Sequence, residues 1–202
     1  MMILRSTPAS PFVRKVRIAI SLLGFDAETD VRETDLNAPD DPIRVQNPLG
    51  KIPALIIEDG TVYYDSRVIL EYLDTRAGGG RIIPREPKAR FEVLRLQALC
   101  DGILDAGVLL VYEGRYRPPE MKVQVWVDRQ TDKVRRAMAV LEASPPVLTP
   151  LPDVGQIALA CVLGYGDLRF GGEWRKHYPR LVAWHDTFAA QVPAFGATRA
   201  QA

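Results

Sequence analysis

Apolar residues recur along the chain with two different periods, and the change falls near residue 78. Residues 2–5 are a short apolar run that reads as a buried strand. From 11 to 23, Val13, Val16, Ile20 and Leu23 recur three or four apart and build one face of a helix. Ser10 suits its N-cap, Pro11 its first position and Gly24 the residue past its end. Residues 27–32 alternate weakly, as a second strand, and 40–45 have room for a short helix. Residues 54–57 and 61–64 are β-prone and flank Asp59-Gly60, a strong hairpin signal. A helix then opens at Asp65-Ser66, with Val68, Ile69, Tyr72 and Leu73 as its stripe. The order is β-α-β-(α)-β-β-α.

Residues 78–87 hold three glycines and two prolines, the composition of a boundary, and beyond them the β signal vanishes. Two long helical patterns follow, 89–111 and 120–143, separated by Gly114 and Pro118-Pro119. A second proline-rich break leads to Asp153-x-x-Gln156 and the apolar run 157–163, a capping box opening a buried helix. A last helix covers 178–190. The pattern predicts an α/β domain over 1–77, a linker over 78–87 and an all-α domain over 88–202.

Composition narrows the field of functions. The chain of 202 residues is 47% hydrophobic and 25% charged with a net charge of +1, which fits a soluble globular protein. That balance gives no electrostatic reason to expect nucleic acid or an anionic membrane as partner. No segment approaches the ~18 uninterrupted apolar residues of a membrane span, and the start is too short for a signal-peptide core. Cys100 and Cys161 form no C-x-x-C pair, and His177 and His185 complete no metal-ligand spacing with them. The expectation is a cytoplasmic protein with no metal, its cysteines acting as small buried hydrophobes.

Three places offer chemistry. The turn Ser6-Thr7-Pro8-Ala9-Ser10-Pro11-Phe12 delivers Ser10 to the carboxyl end of the sheet and to a helix N-terminus, a setting that favours an anion. A thiolate there would accept the Ser10 O–H and its pKa would fall below the free value of about 8.5; a serine here also serves as a plain N-cap. In Asn47-Pro48-Leu49-Gly50-Lys51-Ile52-Pro53, a trans proline merely initiates the strand. A cis Ile52-Pro53 bond instead turns the backbone N–H and C=O of Ile52 toward the site. Lys51 has the charge to neutralise a carboxylate. At the third place Ser66 suits a carboxylate and Asp65 an ammonium, the two ends of an α-amino acid, though the pair is also an ordinary helix opening.

Taken together, Ser10-Pro11-Phe12, Lys51-Ile52-Pro53-Ala54-Leu55, Asp65-Ser66, a proline-rich linker and an all-α half resemble the cytosolic glutathione transferase family over essentially the whole chain. Asp153-Val154-Gly155-Gln156-Ile157-Ala158, Tyr178-Pro179-Arg180-Leu181-x-x-Trp184 and Pro193-x-Phe195 extend the resemblance. It implies a thioredoxin-like first domain, an all-α second domain and a homodimer. Serine in the first motif places the chain nearer the serine-type bacterial, theta, zeta and tau-like members. The capping box holds Asp153 and Gln156 where the family has Ser or Thr and Asp. The double-serine-cysteine signature of maleylacetoacetate isomerases is missing, and without a cysteine at Ser10 the mixed-disulfide chemistry of the thiol reductases has no nucleophile.

The resemblance implies an enzyme that activates the glutathione thiol for attack on a small hydrophobic electrophile. Ser10 is the implied catalytic group. Ile52 would pair with the cysteinyl backbone beside Pro53, Lys51 would meet the glycyl carboxylate, and Asp65 and Ser66 would take the γ-glutamyl end. Phe12, Tyr112 and Tyr116 are candidate walls for the second substrate, with plain packing as the alternative. A family member that keeps the architecture for binding alone is the competing function. Asp101 and Asp105, four apart on the long helix, are expected either to line a cleft between subunits or to form a solvated acidic face.

Overall fold

The computed structural model describes residues 1–200. Strand β1 (Met2–Ser6) leads through a Pro-rich turn into α1 (Pro11–Leu23), then β2 (Thr29–Glu33), a single turn α2 (Ile43–Gln46), β3 (Ala54–Ile56), β4 (Val62–Tyr63) and α3 (Ser66–Arg76). The sheet order is β2-β1-β3-β4. β1 and β2 are parallel, with Leu4 opposite Val31; β3 runs antiparallel to β1 and to β4, with Leu55 opposite Leu4 and Tyr63. The hairpin turn falls at Asp59-Gly60, where Gly60 has φ +87°, a conformation that a side chain would strain. This is a thioredoxin-like mixed sheet, followed by helices alone.

The second half comprises α4 (Pro87–Tyr116), α5 (Gln124–Ala143), α6 (Val154–Phe170), α7 (Pro179–Gln191) and α8 (Pro193–Ala197). α4 is longer than the pattern predicts. It runs through Gly114, because one glycine inside a helix costs only about 1 kcal/mol, and stops before Pro118. α6 is the axis of this half. It packs on α4 and on α1, and Val154 to Tyr165 are buried all round. Its capping box is complete: Asp153 Oδ1 accepts from the Gln156 N–H at 2.9 Å, and the Gln156 side chain accepts from the Asp153 N–H at 3.3 Å.

Two of the predicted apolar faces come out differently. On α1 the stripe of Val13, Val16, Ile20 and Leu23 is buried, but so are Ile18, Ala19, Arg14 and Lys15. The reason is tertiary: α1 is covered on one side by its own domain, through α3, and on the other by α6 and α8. On α3 the buried positions are Ser66, Ile69, Leu70 and Leu73, and Val68 is 46% exposed; the face turns one residue further along the helix.

The boundary segment is tied down by one buried carboxylate. Asp74 accepts the N–H groups of Gly80, Arg81 and Ile82 at 2.8, 2.9 and 2.8 Å. Ile82 then accepts the Val154 N–H through its carbonyl at 3.0 Å, joining the linker to the start of α6. Cys100 and Cys161 are fully buried within the apolar core. Burial pushes the Cys161 thiol up to about 12 and the Cys100 thiol higher still, so both are inert at neutral pH. Among the described residues no group of His, Cys, Asp and Glu is arranged to hold a metal ion, and no helix is long and apolar enough to cross a membrane.

Candidate active site

The carboxyl ends of β1 and β2, the amino end of β3 and the first turns of α1 and α3 open on a cleft of about 960 Å³, closed on its far side by α4 and α6. Ser10 stands at the N-terminus of α1, half-buried. Its Oγ accepts from the Val13 N–H at 3.3 Å, so the cap is made. That contact uses a lone pair and leaves the O–H free to donate, so capping and donation to a ligand are compatible in one hydroxyl.

The second motif is held from behind. Asn47 is buried; its Nδ2 donates to the Lys51 carbonyl at 2.8 Å and its Oδ1 accepts from the Leu49 N–H at 3.0 Å. Gly50, at φ +59°, completes the turn. The loop thereby presents Lys51, Ile52 and Pro53 to the cleft, and the Ile52-Pro53 bond is cis. Lys51 is exposed, Ile52 half-buried and Pro53 buried.

At the third motif Asp65 caps α3, its Oδ1 accepting from the Arg67 N–H at 2.9 Å, and the Tyr64-Asp65 bond is also cis. Ser66 is buried in the first turn of α3. Phe12, Tyr112 and Tyr116 line the same cleft, the two tyrosines edge to face at 5.2 Å. All nine residues singled out from the sequence therefore border one cavity.

The acidic pair divides. Asp101 lies neither in a cleft between subunits nor on a solvated face: it is fully buried inside the chain and paired with Lys15 of α1, and its second oxygen accepts from Arg67 Nε at 3.1 Å. The long helix passes directly behind α1 and α3, so this face is turned inward rather than toward solvent. Asp105, one turn on, borders the cleft itself. Burial holds its carboxyl above the usual range, the neighbouring Asp101 adds to that, and Arg67, Lys15 and Lys51 pull the other way.

Sequence reading passed over five further cleft residues: Arg67, Arg115, Tyr165, Arg169 and the supporting Asn47. A signal for the α4 wall was present. Asp105, Val108, Leu109, Tyr112 and Tyr116 recur at spacings of three and four, and all border the cavity.

Comparison with known proteins agrees with this geometry. The family described as "Glutathione S-transferase, N-terminal domain" matches residues 4–81, and "Glutathione S-transferase, C-terminal domain" matches residues 124–187. This chain belongs to the glutathione S-transferase family. It is 35% identical over 177 residues, 86% of each chain, to the "Uncharacterized GST-like protein YibF" of Escherichia coli K12. A glutathione transferase family member from Pseudomonas fluorescens Pf-5, solved with bound glutathione, is 42% identical over all of both chains with a TM-score of 0.90. The same Pseudomonas protein has been solved with S-(propanoic acid)-glutathione. A glutathione S-transferase from Methylobacillus flagellatus KT with glutathione bound is 35% identical over all of both chains, at a TM-score of 0.92.

Proposed function

We propose that the protein is a serine-type glutathione transferase that ionises the glutathione thiol and directs it at a small hydrophobic electrophile. The observation that carries this reading is the convergence of Ser10, Lys51, Ile52, Pro53, Asp65 and Ser66 on one cleft. The Ser10 O–H donates to the thiolate, and the N-terminus of the 13-residue helix α1 adds its partial positive charge. Both stabilise the charged form, so the bound thiol's pKa falls below its free value of about 8.5. The Ile52 backbone pairs with the cysteinyl residue, Lys51 meets the glycyl carboxylate, and Asp65 and Ser66 hold the ammonium and carboxylate of the γ-glutamyl end.

The electrophile lies between Phe12 and the Tyr112–Tyr116 pair. The Pseudomonas protein crystallised with an S-substituted glutathione supports a cleft with room beyond the sulfur. In this reading residues 1–77 are the glutathione-binding domain, 78–87 the linker and 88–202 the substrate-binding domain. The enzyme works in the cytoplasm as a homodimer. Val68 on α3 and Phe91 on α4 are 46% and 69% exposed and flank the Glu71–Arg90 ion pair, an apolar surface suited to a second copy.

The test is calorimetric titration with glutathione, followed by initial rates against a panel of aryl halides and α,β-unsaturated carbonyls, with light scattering for the dimer. Micromolar-to-millimolar glutathione binding with turnover of at least one electrophile is expected. Binding without any turnover would leave a glutathione-binding protein and reject the transferase.

A further inference from the structure

We propose that the electrophile subsite selects an aromatic substrate bearing a carboxylate, held by Arg115 and Arg169. The inference rests on the transferase reading above and names the substrate class of that site.

The cleft is electrostatically divided along its length. Asp105 lies one turn from Asp101, the partner of Lys15 and Arg67, and borders the cleft together with Arg67 and Lys51. Arg115 lies ten residues further along α4, about 15 Å at the helical rise, and Arg169 sits one turn past Tyr165 on the facing helix α6. Tyr165, Arg115 and Arg169 line the same cavity, and burial pushes the Tyr165 phenol up while Arg169 and Arg115 pull it down.

The acids nearest in sequence are already engaged. Glu113 accepts from Arg117 Nη1 through both oxygens at 2.9 Å. Asp167 is held by Arg175 at 2.9 and 2.7 Å and by the Trp174 indole at 2.9 Å. Arg115 and Arg169, both exposed, thus border one cavity, and among the described residues neither forms an ion pair. Aromatic rings border the same cavity beside them: Tyr112 and Tyr116 stand edge to face, with the Arg115 guanidinium 5.8 Å from the centre of the Tyr112 ring. A guanidinium fork is planar and matches a carboxylate. The complementary ligand is a flat ring against the tyrosines with its carboxylate at the arginines and its reactive carbon toward the sulfur.

For such a substrate, 4-chloro-3-nitrobenzoate, the step is aromatic substitution. The thiolate forms a new sulfur–carbon bond at the carbon carrying chlorine, chloride leaves with the bonding pair, and the thiol proton passes to solvent. Nothing is oxidised or reduced.

The test compares the glutathione conjugate of 4-chloro-3-nitrobenzoate with the same conjugate methyl-esterified on the ring carboxyl, by calorimetry at low salt, with unmodified glutathione as reference. The carboxylate form is expected to bind about tenfold tighter than the ester, an advantage that shrinks with added salt. In the Arg115→Gln/Arg169→Gln double variant, whose fold is checked by its melting transition, the ratio is expected to fall to about one. A ratio near one in the native protein, or one unchanged in the double variant, overturns the inference while leaving glutathione binding intact. If glutathione itself does not bind, the transferase reading fails and takes this inference with it. If the carboxylate advantage is present but neither chloronitrobenzoate nor its ester is turned over, the subsite stands and catalysis falls.

Discussion

The ammonium of Lys15 on α1 and the carboxylate of Asp101 on α4 form an ion pair with 0% and 1% of their side chains exposed, at the seam between the α/β and helical halves. Each charge was taken out of water, and each is tolerable only because the other is there. Arg67, 53% exposed, supplies the second contact to Asp101 and keeps one foot in solvent. Lys15→Met leaves Asp101 with that single partner and is expected to cost about 3 kcal/mol. Lys15→Met/Asp101→Leu removes both buried charges and frees Arg67 to hydrate, so most of the loss should return. Urea midpoints and slopes for the two variants decide it. A single variant costing less than about 1 kcal/mol, or a double variant no better than the single, would show that the pair does not hold the halves together.

Asp74 controls the connection itself. Its carboxylate accepts from four consecutive backbone N–H groups of the linker, Gly80 to Ile83, and the linker carbonyl of Ile82 accepts the first N–H of α6. Asp74→Ala removes the acceptor of these linker donors, of which the Ile82 and Ile83 N–H groups are buried, a loss of about 3 kcal/mol for charge-assisted bonds. Hydrogen exchange is the sharper readout. The amides of Gly80, Arg81 and Ile82 should lose protection well before those of α1. Unchanged protection at these three amides would mean that the linker is fixed by its apolar contacts, Ile82 and Ile83, alone.

His185 gives the fold a pH dependence. Burial holds its imidazole below the usual value; Asp186, 3.4 Å from Nδ1, and Asp167 pull it up, and Arg175, 3.3 Å from Nδ1, pushes it down. The packed rings of Trp174 and Phe195 complete its surroundings. With the folded pKa depressed, the unfolded chain binds the proton more readily. Stability is therefore full above the ordinary histidine value of about 6.5 and falls as pH drops below it. One proton contributes at most about 1.4 kcal/mol per pH unit. Urea midpoints measured from pH 7.5 down to pH 5 should fall in the native protein and stay nearly flat in His185→Phe, which keeps the ring packing. Parallel curves would assign the acid sensitivity elsewhere.

Much of this was legible from sequence because local rules and tertiary demands coincide. Ser10, Gly24, Asp65 and Asp153 cap helices as their types and spacings require, and Asp59-Gly60 makes the hairpin. Ser10, Ile52, Pro53, Asp65 and Ser66 share one cleft because short turns at the ends of the strands carry them there. What escaped depends on which element lies behind which. Lys15 and Arg14 lie off the apolar stripe that the spacing defines, and they are buried only by the helical half, Lys15 against Asp101 of α4 and Arg14 against Phe195 of α8. Arg14 lies over the face of Phe195, at 3.9 Å from the ring centre, and donates to the Phe195 carbonyl at 2.6 Å, a contact across 181 positions that no periodicity reports. Asp101 went astray for the same reason. Its helix spacing shows that it shares a face with Asp105 but not what that face meets.

Ser10 carries the last prediction. If its hydroxyl stabilises the thiolate, Ser10→Ala should leave glutathione affinity nearly intact, because the proposed contacts of Ile52, Asp65 and Ser66 do not touch the sulfur. The bound thiol should become harder to ionise, since a hydrogen bond to the charged form is gone. Such a bond is worth ~1 to 3 kcal/mol, so the thiol pKa is expected to rise by roughly 1 to 2. The variant also loses its cap to the Val13 N–H, but at 3.3 Å that bond is long, and about 1 kcal/mol of stability covers it. Thiolate absorbance of the glutathione complex, followed against pH in native protein and variant, separates the two roles. A displaced titration with unchanged affinity assigns the hydroxyl to the sulfur. Overlaid titrations with a lowered melting point would make Ser10 a helix cap alone, and leave the ionisation of the thiol to the N-terminus of α1.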